Sequence, residues 1–219
     1  MNQPLLQLLV LAAIAVFLIL RLKSVLGTRD GFEKPVARNQ PEKADKKRSF
    51  EVIDGGPDHD IIDHVEENTS AAKALAAMKR VEPSFGVADF LQGARGAYEM
   101  ILMGFARGDL AAVKPFMSAD VFEAFSEVVE DRASKGLKVE ADFIGIRELT
   151  LADATFDQGS NEAEVTVRFV AEITSVVRDQ SGDVVEGKPG EIKRIKDVWT
   201  FARSMGENDP NWELVATGE

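Results

Sequence analysis

The chain has no cysteine, one tyrosine, two tryptophans and two histidines among its 219 residues. Without thiols there are no disulfides, no thiolate metal sites and no cysteine nucleophile, and the absence fits a reducing compartment. Both histidines, His59 and His64, stand in an acidic stretch upstream of the segment that reads as a folded domain, expected from residue 84 onward. That domain holds no imidazole, which excludes Ser-His-Asp and Cys-His catalysis. Asp58, Asp60 and Asp63 flank the histidines. A metal site needs a folded frame to fix its ligands, so no metal and no cofactor are expected.

Charge is also missing where it is usually common. Met1 to Leu20, MNQPLLQLLVLAAIAVFLIL, carries none. Leu5 to Leu20 is apolar apart from Gln7 and rises about 24 Å as a helix, a little short of the roughly 30 Å hydrocarbon core of a bilayer. Leu22, Val25 and Leu26 extend the span while Arg21 and Lys23 snorkel to the interface. Residues 1–26 are therefore expected to form one transmembrane anchor. A cleaved signal peptide would need cations before the apolar run and small residues after it; the order here is the reverse. The membrane-flank residues Arg21, Lys23 and Arg29 all follow the run. By the positive-inside rule this predicts an outward N-terminus and a cytoplasmic C-terminal domain. The expected location is the inner (plasma) membrane of a bacterium, in a single pass.

The basic residues that exist are gathered near the anchor. Arg21 to Arg48 contains nine basic and four acidic side chains, a net of +5, whereas Phe85 to the end contains 14 basic and 25 acidic, a net of −11. The first can meet anionic lipid. The second argues against a nucleic-acid partner, because phosphate-backbone binding needs cations. Residues 27–83 read as a charged, largely disordered linker. Its apolar residues are sparse and aperiodic, GTRDG and GGPDHD supply breakers, and only Ser70–Arg80, SAAKALAAMKR, promises a short helix. Lys43–Arg48, KADKKR, is a solvated tether or a lipid contact.

From Asp89 the apolar residues Phe90, Ala94, Tyr98, Ile101 and Phe105 recur at helical spacing, closed by Gly108. A short helix is expected from Asp109 towards Lys114. Ser118 or Asp120 caps another helix, with Phe122, Phe125 and Val129 on its face. After Gly136 the period becomes two. Lys138–Phe156 reads as a strand with a bulge at Gly145. Ala163–Val177 alternates cleanly, Gln180–Asp183 turns, and Ile192–Arg203 and Trp212–Ala216 complete a four-stranded antiparallel sheet. Helices first and strands after mean α+β. We expect an NTF2-like or cystatin-like cone of N-terminal helices on a bent sheet, spanning residues 84–219.

RLKSVLGTRDG behind the anchor, the helix FLQGARGAYEMILMGFARGDL, the strand VTVRFVAEITSVVRD with SGDVVEG, and the ending DVWTFARS…DPNWELVAT together resemble the Tim-forty-four-like domain family. The likeness is to its membrane-anchored bacterial, TimA-type branch. What the resemblance implies is an adaptor or scaffold on the inner face of an inner membrane. Its partners would be membrane lipid and inner-membrane or cytoplasmic proteins, with translocation machinery or a chaperone as candidates. It also implies a large apolar pocket in the C-terminal domain. The expected lining is Phe90, Tyr98, Phe105, Phe122, Phe125, Phe143, Phe169, Trp199 and Phe201, with Asp197 on the same strand face. The plainer reading is that these residues are core. An enzyme is the second class: the same fold hosts isomerases and hydratases that use a buried Asp with a Tyr, and Asp197, Asp142 and Tyr98 would be the groups. Asp197 could equally pair with Arg203 or Arg168. A secretion-system scaffold of this fold is the third class. No catalytic residue is assigned.

Overall fold

The two-residue alternation produces four strands, β1 (Lys138–Asp157), β2 (Glu162–Arg178), β3 (Val184–Ser204) and β4 (Glu213–Gly218), antiparallel in the spatial order β1-β2-β3-β4. The computed structural model describes residues 58–218. The expected membrane helix over 1–26, its flank Arg21, Lys23 and Arg29, and the cluster Lys43–Arg48 lie outside that range. Among the described residues no helix is long and apolar enough to cross a membrane.

Ala163, Val165, Val167, Phe169 and Ala171 of β2 are all fully buried, so the odd positions form the core face. Register carries that face across the sheet: Phe169 lies opposite Leu149 on one side and Asp197 on the other, and Val167 opposite Trp199. In β1 the pairing shifts between Phe143 and Gly145, Ile146 and Glu148, and Leu151 and Asp153. Each extra residue lets the chain turn while its apolar positions stay on the core side. β4 covers only Val198–Ala202 of β3. The opposite face is polar and partly closed. Glu172, 9% exposed, is held between Arg147 (2.6 Å) and Arg194 (3.0 Å).

Among the described residues four α-helices precede the strands: α1 (His59–Ile62), α2 (Ser70–Val81), α3 (Val87–Arg107) and α4 (Ala119–Ser134). α2 and α3 pack on β1. α3 ends at Gly108, whose left-handed backbone (φ 76°) lets its amide reach the carbonyls of Gly104 and Phe105; this is where the sequence placed the stop. Ser118 caps α4 by accepting from the Val121 amide at 3.3 Å. Between these helices, Lys114–Phe116 forms a 3-10 turn with Pro115 inside it, where a helix ending at Lys114 was expected.

The largest difference lies in residues 58–83, expected as the end of a largely disordered linker with one short helix over Ser70–Arg80; that helix is present as α2, and the rest of the segment is ordered with it. Thr69 caps α2, and Leu75 and Met78 are completely buried in the main core together with Ile61. α2 is rich in alanine, so its apolar stripe is low and its sequence pattern weak. Burial against β1 supplies what propensity and amphipathicity do not. Asp60 ties the segment in. Its carboxylate accepts from the Val87 and Ala88 amides at 2.8 and 2.9 Å, and Lys79 lies 2.7 Å away. These are open donors in the first turn of α3. A remote carboxylate caps this helix, which explains why it begins at Val87 rather than after Asp89. The acidic residues beside His59 thus serve packing: Asp58 also binds Lys79, at 2.8 Å.

Candidate functional site

Seven of the ten residues expected to line an interior come together, and three do not. Tyr98, fully buried on α3, stacks on Phe169 of β2, with ring centres 4.2 Å apart and planes 10° apart, and lies 4.7 Å from Trp199. Phe143 closes the other side at 6.3 Å. The row runs on from Trp199 to Phe201 and from Phe201 to Phe90. The Tyr98 hydroxyl donates to Asp197 at 2.5 Å. Burial first, then the adjacent carboxylate, push the phenol well above its ordinary value of 10.0. Tyr98 therefore keeps its proton at any physiological pH and acts as a fixed donor that pins α3 to β3. Asp197 is claimed by this bond rather than by Arg203, whose partner is Glu82.

Phe105, Phe122 and Phe125 form a separate group where the end of α3 meets α4. Phe105 and Phe125 are 4.7 Å apart, and Arg132 covers the Phe105 ring while donating to the Phe105 carbonyl at 2.7 Å. Lys114 stands over Phe122. Asp142 pairs across from Thr174, on the polar face.

A hollow lies elsewhere, along α3. It has a volume of about 610 Å³ and runs along Gly86, Asp89, Phe90, Gly93, Gly96, Ala97 and Met100. The facing wall is Phe116, Phe201, Arg203 and the Pro210–Trp212 loop. Of the expected residues only Phe90 and Phe201 reach it. Phe85 and Trp212 complete its apolar end, with Trp212 4.7 Å from Phe90 and 5.9 Å from Phe85. Sequence did carry a signal for Phe85. It immediately precedes the cap residue Gly86 and meets Phe90 four residues into the helix, the hydrophobic-staple spacing.

Arg203 organises this hollow. Its side chain is 8% exposed, pairs with Glu82, donates to the Pro210 carbonyl at 3.1 Å and lies over the Trp212 ring at 5.3 Å. Its Nε is the one buried side-chain nitrogen or oxygen among the described residues with no hydrogen-bond partner. Burial tends to raise the Glu82 carboxyl, but Arg203 and the Gly206 amide outweigh it and hold the group below its ordinary 4.5. A second, more polar hollow adjoins, lined by Glu162, Glu207, Asp209 and Glu213 and sharing Arg203 and Asn211 with the first. The described residues contain no group of three or more potential metal ligands.

Residues 71–219 match the Tim44-like domain, and the chain belongs to that family. It is 25% identical over 160 residues to the human mitochondrial import inner membrane translocase subunit TIM44, covering 71% of this chain and 35% of that protein. It is 23% identical over 194 residues to TIM44-1 of Arabidopsis thaliana, covering 84% of this chain and 40% of that protein. The chain thus matches well under half the length of these curated relatives. Among solved structures, the intermembrane space region of the chloroplast protein ARC6 covers 66% of this chain and 94% of its own, at 9% identity and a TM-score of 0.39. That likeness is too loose to bear on function.

Proposed function

We propose that the protein is a membrane-anchored scaffold of the Tim44-like family, with its helix-on-sheet domain, an NTF2-like cone, held at the cytoplasmic face of an inner membrane. There it binds partner proteins, with translocation or membrane-protein assembly machinery as the candidate class. The observation that supports this most directly is the family match over 71–219 standing behind an uncharged apolar run, Met1–Leu20. The relatives in that family are named as inner membrane translocase subunits. Protein contact is favoured over small-molecule turnover by the packing around the Asp–Tyr pair. Tyr98 is fully buried between Phe169 and Trp199, and Asp197 lines neither hollow described above.

Purification of the full chain from detergent-solubilised membranes tests the reading. We expect the chain in the membrane fraction after alkaline extraction, with protein partners retained in fixed ratio. A chain that washes off as a soluble protein, or that retains no partner while turning over a small molecule, refutes it. A reporter fused after Glu219 tests orientation separately: activity confined to an exported phosphatase fusion overturns the predicted topology.

A further inference from the structure

The polar face of the sheet buries a carboxylate that fixes two arginines. Arg147 reaches one oxygen of Glu172 through Nε and Nη2, at 2.8 and 2.6 Å, and Arg194 reaches the other through Nη2 at 3.0 Å. The arginine side chains are nevertheless 57% and 62% exposed, and Nη1 of neither takes part in these bonds. Ion pairs with partners this open add little stability. Their effect is to hold two guanidinium forks in place. Register gathers more cations on the same face, to which the even positions of β2 belong. Arg168 is one of these positions, and Lys196 lies opposite another, Val170. Four cations thus stand against two carboxylates, Glu148 and Glu172, although the chain from Phe85 onward holds 14 basic and 25 acidic side chains. Two large apolar residues adjoin them. Ile192, opposite Thr174, is 57% exposed, and Ile144, passed over at the first register shift of β1, is 48% exposed.

We propose that this basic band is the contact surface for a partner protein, which lays a short acidic segment with one apolar side chain across the face of the sheet. Charge complementarity of this kind sets orientation and association rate. Guanidinium forks match carboxylates in two-point contacts, and forks already held by Glu172 lose less freedom when a second carboxylate arrives. Asp142, opposite Thr174, closes one end of the band, and Asp153, opposite Thr166, closes the other. A continuous anionic surface such as a bilayer would press on both, whereas a narrow segment fits between them. The band runs about 14 Å along β3 from Ile192 to Lys196 and about 10 Å across three strands. That is room for four or five extended residues, a small contact for which a dissociation constant of tens of micromolar is expected.

The inference rests on the scaffold reading and names its contact surface. Because the chain has no cysteine, Thr150→Cys in the full chain carries a single environment-sensitive dye beside Arg168, its neighbour across the strands. The protein is held in phosphatidylcholine nanodiscs. The probes are two synthetic peptides of about 12 residues with one central Ile, the first rich in Glu and the second with Lys at the same places. The Glu peptide is expected to shift the dye and to bind at least tenfold more tightly than the Lys peptide. Arg168→Glu with Lys196→Glu leaves the Glu172 group intact, so the melting temperature should stay within about 2 °C while the Glu peptide binds at least tenfold more weakly. Ile192→Ser should weaken it about threefold. Glu148→Lys adds to the band and should tighten it about threefold, a gain that a damaged fold cannot imitate. Equal binding of the two peptides, no binding, or unchanged binding to the double variant overturns the proposal. So does a dye shift produced by phosphatidylglycerol nanodiscs without peptide, which would give this face to lipid. If the purified full chain retains partners and the double variant retains them equally, the scaffold reading stands and only this surface is wrong.

Discussion

Removing the Asp60 carboxylate should destabilise the whole domain from a position that reads as linker. Three partners depend on it: two backbone amides of α3 and the Lys79 ammonium. The amides stand at a helix start where no residue of the helix can accept them. Gly86, the local cap, has no side chain, so loss of Asp60 leaves both amides without a side-chain acceptor. Losing a helix cap costs about 0.5–2 kcal/mol, and a part-buried donor left open costs a further 1–3 kcal/mol. We expect Asp60→Ala to cost about 2–3 kcal/mol, near the upper end for a cap because two donors are involved. In a domain of this size that lowers the melting temperature by roughly 4–12 °C. Asp60→Asn keeps an acceptor but not the charge and should cost about half as much. The pH dependence has a definite sign. Burial raises the Asp60 carboxyl, but Lys79 and the two amides prevail and hold it below its ordinary 3.8. A depressed carboxylate stabilises the fold above its unfolded pKa and loses that contribution as pH falls through the folded value. Wild type and Asp60→Ala should therefore differ most above about pH 5 and converge below the usual carboxylate range near pH 4. Urea unfolding at pH 7 and at pH 3 measures both points. A wild-type-like midpoint for Asp60→Ala at pH 7, or a gap that widens in acid, would refute the assignment.

Three further outcomes are expected. A chain beginning at residue 84 loses Leu75 and Met78, each worth about 1.5–3 kcal/mol on burial, together with the Glu82 partner of Arg203. It should lack a cooperative thermal transition, while one beginning at residue 58 melts sharply by calorimetry. Tyr98→Phe removes a donor to a carboxylate and should cost about 1.5–3 kcal/mol in denaturant, with Tyr98→Ala costing more through the cavity it opens. Gly187→Ala should destabilise by more than about 1 kcal/mol, since its φ is +80° and a Cβ would fall 2.4 Å from the Ser175 carbonyl oxygen; the same urea series reads this.

The long elements could be read from sequence because each carries its own period. The helix over Phe90–Phe105 and the strand over Ala163–Val177 bury the residues their spacing selects, and Gly108 stops α3 through a conformation few other residues adopt. The irregularity anticipated at Gly145 is one of three in β1. What escaped notice depends on distant partners. α2 has too few large apolar residues to show a stripe, and only β1 reveals that Leu75 and Met78 are core. Asp60 gives no local sign of capping a helix that starts 27 residues later, at Val87. The candidate site divided in the same way. Residues sharing strand parity with Trp199 pack on one another as core rather than around a hollow, while Phe105, Phe122 and Phe125 followed their helices to another place. The hollow along α3 needed a loop, a 3-10 turn and a strand end to converge there, and no periodicity announces such a meeting. Phe85 alone had a readable clue.

β4 is only six residues long, and this leaves its neighbour in an unusual position. From Val184 to Asp197 the outward amides and carbonyls of β3 have no companion strand among the described residues. A bare rim of that length is a template on which another copy of the molecule can stack. Lys188, Pro189, Lys193 and Lys196 are spaced along it, so that an approaching strand meets a missing amide and repeated positive charge. Proline and lysine at such places are the means by which an exposed strand edge resists pairing with another chain.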